Sequence, residues 1–285
     1  MPVEPPVESP RSLAEAYRLL GAAAYRPLAG GTDLLVQITG ELGEPPDRVL
    51  DIWHLDELRG IRVESNALVL GALTTYAEIR RSPLIAEFLP AFAEAAATIG
   101  AAQIQNRGTI GGNAVNASPA GDMLPLLLAI DAQLVLGSAA GERRVSARDF
   151  WPAYRRTVMA PNELLLRISI PLASGRQIRF RKVGTRRAQA ISKVVMALAW
   201  RADDDTAAWR EVRLALGSVA ATPIRAPRTE AVLEGAAPSE ATADRAASTL
   251  ASELNPIDDV RSSADYRRAV AARVLHRLLR EAGGW

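Results

Sequence analysis

The chain has 285 residues, of which 48% are hydrophobic and 23% are charged, and its formal net charge is +2. This balance is typical of a globular protein with two or three lobes, and so small a charge does not indicate nucleic-acid binding. The absence of cysteine excludes disulfides, thiolate catalysis and Cys-ligated iron–sulfur clusters within this chain.

Histidine chemistry and membrane insertion are not indicated either. His54 follows a strand-like stretch and His276 lies on an arginine-rich predicted helix, and neither has a triad or metal-site motif around it. We interpret both as structural or surface residues. No apolar run reaches the ~20 residues of a membrane span, and there is no secretory signal pattern. We therefore expect a cytoplasmic protein whose difficult chemistry, if any, is carried by a cofactor.

The first part of the chain, to about residue 56, predicts a small α/β lobe. Its first ten residues include four prolines and predict an extended arm. Ser12, with Glu15 in the capping-box position, predicts a helix over 13–20 that Gly21 ends. Strands are expected at 25–28 and 49–52, with a short helix at 34–38 between them.

Residues 57–172 predict a second lobe with a mixed or antiparallel sheet. Strand-like stretches occur at 61–63, 67–72, 133–137 and 163–170, and helical patterns at 76–81 and 91–99. A polar, glycine-rich passage at 103–117 leads to Ser118-Pro119. Proline is favoured at the first helical position, so this pair predicts the start of an apolar helix that reaches Ile130.

Pro171 and the Ala173-Ser-Gly175 segment indicate a boundary, after which residues 173–285 predict a C-terminal domain. Three β-like segments, at 178–183, 194–200 and 212–219, predict an antiparallel sheet. Helices at 226–233, 240–254 and 264–281 are expected to pack on it. The apolar residues of the last helix form a stripe that we expect to face the core: Tyr266, Val270, Val274 and Leu278. The predicted fold class is α+β.

Two turns with paired glycines are the first indication of function. The first turn comprises Ala29, Gly30, Gly31, Thr32 and Asp33, and the second comprises Thr109, Ile110, Gly111, Gly112 and Asn113. Paired glycines let backbone amides approach a diphosphate with no Cβ in the way, and the Thr and Asn side chains add hydrogen bonds. Neither turn has the G-x-G-x-x-G spacing, so an ordinary Rossmann site is not indicated.

Asp122 and Lys182 are two further candidates. Asp122 is expected in the first turn of the helix that begins at Ser118-Pro119. There it either complements the helix dipole or accepts a hydrogen bond from a ribityl or ribose hydroxyl, and spacing leaves both open. Lys182 and Lys193 are the only lysines of an arginine-rich sequence. Lys182 precedes a basic turn suited to a phosphate or a flavin edge, although chance also explains a lysine there.

These motifs together resemble the FAD-binding medium subunit of the molybdenum hydroxylases, the family of xanthine dehydrogenase and carbon monoxide dehydrogenase. The resemblance runs from about Ser12 to Leu279. Its motifs, in order, are 28–33, 104–113, 117–122, 181–187 with 190–192, 217–220 with Thr222-Pro223, and 258–261 with 266–268. Residues 103–107 and 154–157 are most similar to the xanthine dehydrogenase branch.

The resemblance implies a two-lobed FAD-binding domain, residues 1–172 with lobes of about 1–56 and 57–172. It is followed by a C-terminal domain, residues 173–285, of three antiparallel strands and a helical bundle. The resemblance also implies that both glycine turns hold the FAD diphosphate. It adds four FAD-binding residues: Leu28, Asp122, Leu165 and Lys182. No catalytic residue and no metal ligand is implied in this chain.

The implied activity is electron transfer. By resemblance, a large molybdopterin-binding partner oxidises the substrate, and a small partner relays the electrons through [2Fe–2S] clusters to FAD on this chain. FAD then reduces NAD, a quinone or another acceptor. Two alternatives stay open: a free-standing flavin oxidoreductase of the vanillyl-alcohol oxidase type, and a flavin-free scaffold or maturation factor. The first requires an acid or base in a substrate pocket, and the second is typically accompanied by degenerate glycine turns.

Overall fold

The computed structural model describes residues 5–40, 44–186 and 189–285, so part of the predicted N-terminal arm and Arg187 of the basic turn lie outside the described residues. The first sheet is parallel and has three short strands. Their order is β1 (Val7–Glu8), β3 (Val49–Asp51) and β2 (Arg26–Leu28). Helix α1 (Leu13–Ala22) buries Ala16 and Leu20 in the same apolar cluster as Leu50 of β3. The predicted α/β unit is confirmed.

The start of α1 follows the sequence pattern in most details. The Ser12 side chain accepts from the Glu15 backbone N–H at 3.2 Å, as predicted. The reciprocal bond differs, because the Glu15 carboxylate accepts from the Arg11 N–H at 2.8 Å. The predicted end at Gly21 is wrong by two residues, since the helix continues to Ala22 and the Ala23 N–H bonds Leu19 O.

The second sheet is antiparallel and has five strands. Their order is β4 (Ile61–Glu64), β5 (Ala67–Gly71), β8 (Leu164–Pro171), β6 (Gln133–Ser138) and β7 (Gly141–Ser146). Seven helices accompany it: α3 (Tyr76–Arg81), α4 (Pro83–Phe88), α5 (Pro90–Thr98), α6 (Ala102–Arg107), α7 (Ile110–Asn116), α8 (Leu124–Ala129) and α9 (Ala147–Phe150). Phe92, Leu127 and Phe150 are fully buried in the core that these elements share.

Several elements of this region differ from the sequence expectation, and helices α4 and α9 were not predicted. Strand β7 was not predicted, because it is an exposed edge strand rich in Glu and Arg. The passage 103–117 contains two short helices, α6 and α7, around Gly108. The apolar helix predicted to reach Ile130 is present, but its predicted start at Pro119 is wrong, since α8 begins at Leu124. The Ser118 carbonyl accepts from the Gly121 N–H at 2.9 Å, and the Pro119 carbonyl accepts from the Ser218 N–H at 2.8 Å.

The third sheet is antiparallel, in the order β12 (Ile224–Arg225), β11 (Trp209–Gly217), β10 (Val194–Ala202) and β9 (Gln177–Val183). The three predicted strands are confirmed, and β12 adds a fourth. Both faces of β10 are buried, which explains its continuous apolar sequence. Val195 and Ala197 join the core of the second sheet, whereas Met196 and Leu198 pack with the helices on the opposite face.

Those helices are α10 (Pro227–Leu233), α11 (Glu240–Glu253) and α12 (Ala264–Gly283), and they confirm the predicted helical bundle. The stripe expected on α12 is partly wrong, because Tyr266 is 43% exposed. The face that is buried instead includes Ala271, Leu275 and Leu278. No helix in the described part of the chain is long and apolar enough to cross a lipid bilayer.

Candidate cofactor site

A cleft with residues from all three sheets forms the candidate site, and it has two compartments. The first compartment has a volume of about 140 Å³ and is lined by both glycine turns and by the apolar side chains Leu28, Leu73 and Leu165. The second compartment, about 1090 Å³, lies between the 118–122 segment and the third sheet, and it contains Asp122 and Lys182. Five residues line both compartments: Thr32, Asp33, Tyr76, Asn113 and Asn116.

The cleft brings together thirteen of the fourteen predicted site residues, which are Leu28, Ala29, Gly30, Gly31, Thr32, Asp33, Thr109, Gly111, Gly112, Asn113, Asp122, Leu165 and Lys182. The exception is Ile110. Its side chain is fully buried in the protein core, and its N–H donates to the Thr74 carbonyl at 3.0 Å. Ile110 therefore supports the second turn from behind.

The first glycine turn presents open backbone amides. Within the described residues, no acceptor is found for the N–H groups of residues 30 to 33. Gly31 has φ +79°, a left-handed conformation that favours glycine. Gly30 is packed so closely that a Cβ would lie 1.7 Å from the Arg107 carbonyl oxygen. Arg107 in turn stacks on the Trp53 ring at 3.8 Å, which fixes the turn against the second lobe.

The second glycine turn has its amides already paired. Gly111 donates to Ala72 O at 2.9 Å, Gly112 to Thr109 Oγ1 at 3.0 Å and Asn113 to Thr109 O at 3.0 Å. The expectation that paired glycines leave these amides free is therefore wrong for this turn. Gly111 serves packing, because a Cβ on it would lie 2.5 Å from the Ala72 carbonyl oxygen, whereas a Cβ on Gly112 would meet only Thr109 Oγ1, at 2.9 Å. This turn can therefore contact a ligand through its side chains rather than through its backbone N–H groups.

Polar side chains connect the two turns at the junction of the compartments. The Asn116 amide donates to the Asp33 carboxylate at 3.0 Å. Burial raises the pKa of Asp33, and the nearby Arg155 guanidinium partly offsets this rise. Asn113 Oδ1 is buried with no hydrogen-bond partner among the described residues. A buried acceptor without a donor is costly, so this oxygen is suited to a donor on a ligand.

Asp122 and Lys182 form a buried ion pair in the second compartment. Lys182 Nζ lies 2.6 Å from Asp122 Oδ2 and 3.1 Å from the Thr98 carbonyl oxygen. Asp122 lies in the turn before α8, so its predicted place in the first helical turn is wrong. Burial raises the pKa of Asp122, and the Lys182 ammonium partly offsets the rise. Asp122 Oδ1 is buried and unpaired within the described residues.

Tyr76 is a cleft residue that sequence reasoning missed. It begins helix α3, which Thr75 caps, and its side chain is 4% exposed. Its ring packs against Gly108, where a Cβ would lie 2.8 Å from Cε2. Burial raises the pKa of Tyr76, and the Asp122 and Asp33 carboxylates raise it further, so the phenol stays a hydrogen-bond donor. No motif distinguishes this tyrosine from a core residue.

Residues of the later motifs form a hydrogen-bonded network on the third-sheet side of the second compartment. The hydroxyls of Ser192 and Ser218 lie 2.9 Å apart. The Arg267 guanidinium donates to the Ser218 carbonyl at 2.5 Å and to Asp259 at 2.7 Å. These side chains hold the loops after β11 and before α12 against the cleft.

The two histidines, which the sequence predicts to be structural or surface residues, do not line the cleft. His54 is exposed, and His276 pairs with Asp244 at 3.3 Å. In the part of the chain that the structure describes, no group of His, Asp and Glu residues has the arrangement of a metal site.

The cleft fits a dinucleotide such as FAD. The narrow first compartment has apolar walls for an aromatic base, and the open amides of the first turn suit a diphosphate. The wide second compartment accommodates a larger ring system. The two unpaired buried acceptors, Asn113 Oδ1 and Asp122 Oδ1, match the hydroxyl donors of ribose and ribityl groups.

Comparison with known proteins agrees with this geometry. Residues 3–173 match the family described as the FAD binding domain in molybdopterin dehydrogenase, and residues 179–282 match the CO dehydrogenase flavoprotein C-terminal domain. The glyceraldehyde dehydrogenase medium chain of Sulfolobus acidocaldarius is 35% identical over 91% of each chain. The carbon monoxide dehydrogenase medium chain of Hydrogenophaga pseudoflava is 33% identical over 96% of this chain and 95% of that one.

The fold is shared as well. A solved structure of carbon monoxide dehydrogenase from Hydrogenophaga pseudoflava, in a form that lacks the Mo-pyranopterin moiety, superposes with a TM-score of 0.91. The match covers 97% of this chain and 96% of that chain at 33% identity. The chain therefore belongs to the family of FAD-binding medium subunits of the molybdenum hydroxylases.

Proposed function

We propose that this chain is the electron-transfer subunit of a molybdenum hydroxylase complex. It receives electrons from the [2Fe–2S] clusters of a small partner and passes them to an external acceptor such as NAD or a quinone. A large molybdopterin-binding partner oxidises the substrate. The observation that carries the proposal is the two-compartment cleft, whose open amides and unpaired buried acceptors suit one FAD. Similarity along nearly the whole chain to medium chains of dehydrogenases supports it.

The proposed division of the site follows the two compartments. Leu28 and Leu165 enclose the adenine, and the amides of residues 30 to 33 bind the diphosphate. Thr32 and Asn113 add side-chain hydrogen bonds where the compartments meet. Asp122 and Lys182 contact the ribityl chain and the ring in the second compartment. FAD supplies two-electron redox chemistry, and the chain orients the ring and adjusts its electrostatic surroundings.

Two broader features belong to the same proposal. The FAD-binding domain comprises residues 1–172, with lobes of about 1–56 and 57–172, and the C-terminal domain comprises residues 173–285. We also propose that the complex works in the cytoplasm.

Rapid mixing tests the proposal. The FAD-bound chain, assembled with its reduced [2Fe–2S] partner, is expected to show bleaching of the flavin absorbance, followed by recovery when NAD or a quinone is added. An FAD-bound chain that associates with no molybdopterin or iron–sulfur subunit contradicts the proposal. So does one whose flavin turns over a small substrate unaided.

A further inference from the structure

The buried ion pair of Asp122 and Lys182 lines the second compartment, and its two residues come from different parts of the fold. Asp122 belongs to the turn before α8, and Lys182 lies on β9 of the third sheet. Their side chains are 9% and 5% exposed. Charges removed from water interact strongly, because little solvent screens them. Any charge imbalance in this pair therefore acts directly on a group bound beside it.

In the proposed arrangement, the flavin ring of FAD lies in the second compartment, beside this pair. The second compartment is the wider of the two, and the apolar first compartment fits the adenine. Lys182 already uses two acceptors, Asp122 Oδ2 and the Thr98 carbonyl. The pair as a whole is close to neutral, because the carboxylate cancels the ammonium charge. A lysine with no carboxylate would instead present a full positive charge to the ring.

We propose that Asp122 sets the reduction potential of the bound flavin by compensating the charge of Lys182. Two-electron reduction leaves a flavin ring anionic at neutral pH, so a net positive charge beside it favours the reduced form. Asp122 withholds that stabilisation and keeps the potential low, which favours passage of electrons to the acceptor. The inference rests on the proposed function, because it requires FAD in the cleft with its ring in the second compartment.

The test compares the affinities of the full-length chain for oxidised and reduced FAD. Asp122→Asn removes the negative charge but keeps the size of the side chain and an acceptor for Lys182. We expect the preference for reduced FAD to rise about tenfold, which corresponds to a potential about 30 mV higher for a two-electron couple. A loss of affinity that is common to oxidised and reduced FAD cancels in this ratio, so weaker binding by the variant does not obscure the result.

Two further variants separate charge balance from simple damage. The double variant Asp122→Asn/Lys182→Gln carries no charge at either position, and its ratio is expected to return towards the wild-type value. Asp131→Asn is the control outside the cleft, because Asp131 pairs with Arg213 and Arg225 and lines neither compartment. Its ratio is expected to stay unchanged. Asp122→Ala is predicted to shift the ratio of affinities in the same direction as Asp122→Asn. If one of these two variants does not fold, the other still tests the inference.

An unchanged or lower ratio in FAD-bound Asp122→Asn overturns the inference. So does a double variant that keeps the full shift of Asp122→Asn. These outcomes differ from failure of the proposed function, which is shown by a wild-type chain that takes up no FAD of either oxidation state.

Discussion

The two glycine turns look alike in sequence but differ in whether their backbone N–H groups have hydrogen-bond acceptors within the protein. Residues 30 to 33 have N–H groups with no acceptor in the described residues, whereas the amides of residues 110 to 113 all donate within the protein. Gly111 of the second turn is required because helix α7 packs there against Ala72, the residue directly after β5. A glycine pair thus indicates close approach, and only the hydrogen bonds show whether a ligand or the protein itself approaches.

The largest effect is expected at Gly111. Gly111→Ala places a Cβ 2.5 Å from the Ala72 carbonyl oxygen, which is backbone and cannot rotate away. Overpacking of this kind costs about 1–3 kcal/mol, so we expect that loss in the free energy of unfolding of the FAD-free chain. Urea denaturation measures it. Gly21→Ala is the control, because Gly21 lies in α1 with open space around it and should be neutral or slightly stabilising. Equal stability of the two variants would show that the packing role is wrong.

Gly31 tests the open turn. Its φ of +79° makes Gly31→Ala strained by about 1–2 kcal/mol, and the distorted amides are expected to bind FAD more weakly. Gly175→Ala is matched to it, since Gly175 has φ +73° and lies outside the cleft. Thermal denaturation should show similar losses for both variants, and FAD titration should show weaker binding for Gly31→Ala alone. If FAD affinity fell equally in both variants, the first turn would not be part of the FAD site.

The two threonines separate a cap from a ligand contact. Thr109 caps helix α7 by accepting from the Gly112 N–H, so Thr109→Ala should lower the stability of the FAD-free chain by about 1 kcal/mol. Thr32 lines both compartments, and Thr32→Ala should leave stability unchanged and weaken FAD binding. Chemical denaturation and FAD titration of both variants give the comparison. The reverse pattern would mean that the turns have the opposite roles.

The smallest effect concerns pH and Asp33. Because burial raises the pKa of Asp33, the folded chain holds this proton more tightly than the unfolded chain does. Stability from this group is therefore lost as pH rises above the ordinary value of 3.8. Asp33→Asn should stabilise the FAD-free chain at neutral pH, with a gain that disappears in acid. Denaturation at several pH values measures this, and a gain independent of pH would contradict the cause.

Much of the fold is predictable because burial leaves a pattern in the sequence. The apolar run of β10 and the helix cap at Ser12 are recognised directly from the sequence. Strand β7 is not, since an exposed edge strand with charged residues lacks an apolar alternation. The helix start predicted at Pro119 is wrong for a tertiary reason, because the Pro119 carbonyl accepts a hydrogen bond from the backbone N–H of Ser218, 99 residues away in sequence. Helix α4, in contrast, begins with Ser82 as its cap and Pro83 in its first turn, a sequence pattern that is typical of a helix start.

The sequence predicts which residues form most of the candidate site, but it does not predict which of them contact each other. The glycine turns, Asp122 and Lys182 are recognised from motifs, yet the pairing of Asp122 with Lys182 joins positions 60 residues apart. Tyr76 has no sequence signal, because its place at the junction depends on how α3 packs beside both turns.

The most direct test of the account is amide hydrogen exchange of the full chain with and without FAD, read separately for the two turns. We expect FAD to slow amide exchange at residues 30 to 33, whose N–H groups gain an acceptor, and to change the exchange rates little at residues 110 to 113, whose N–H groups are already bonded. Bound FAD that protects the second turn and leaves the first unprotected would contradict it.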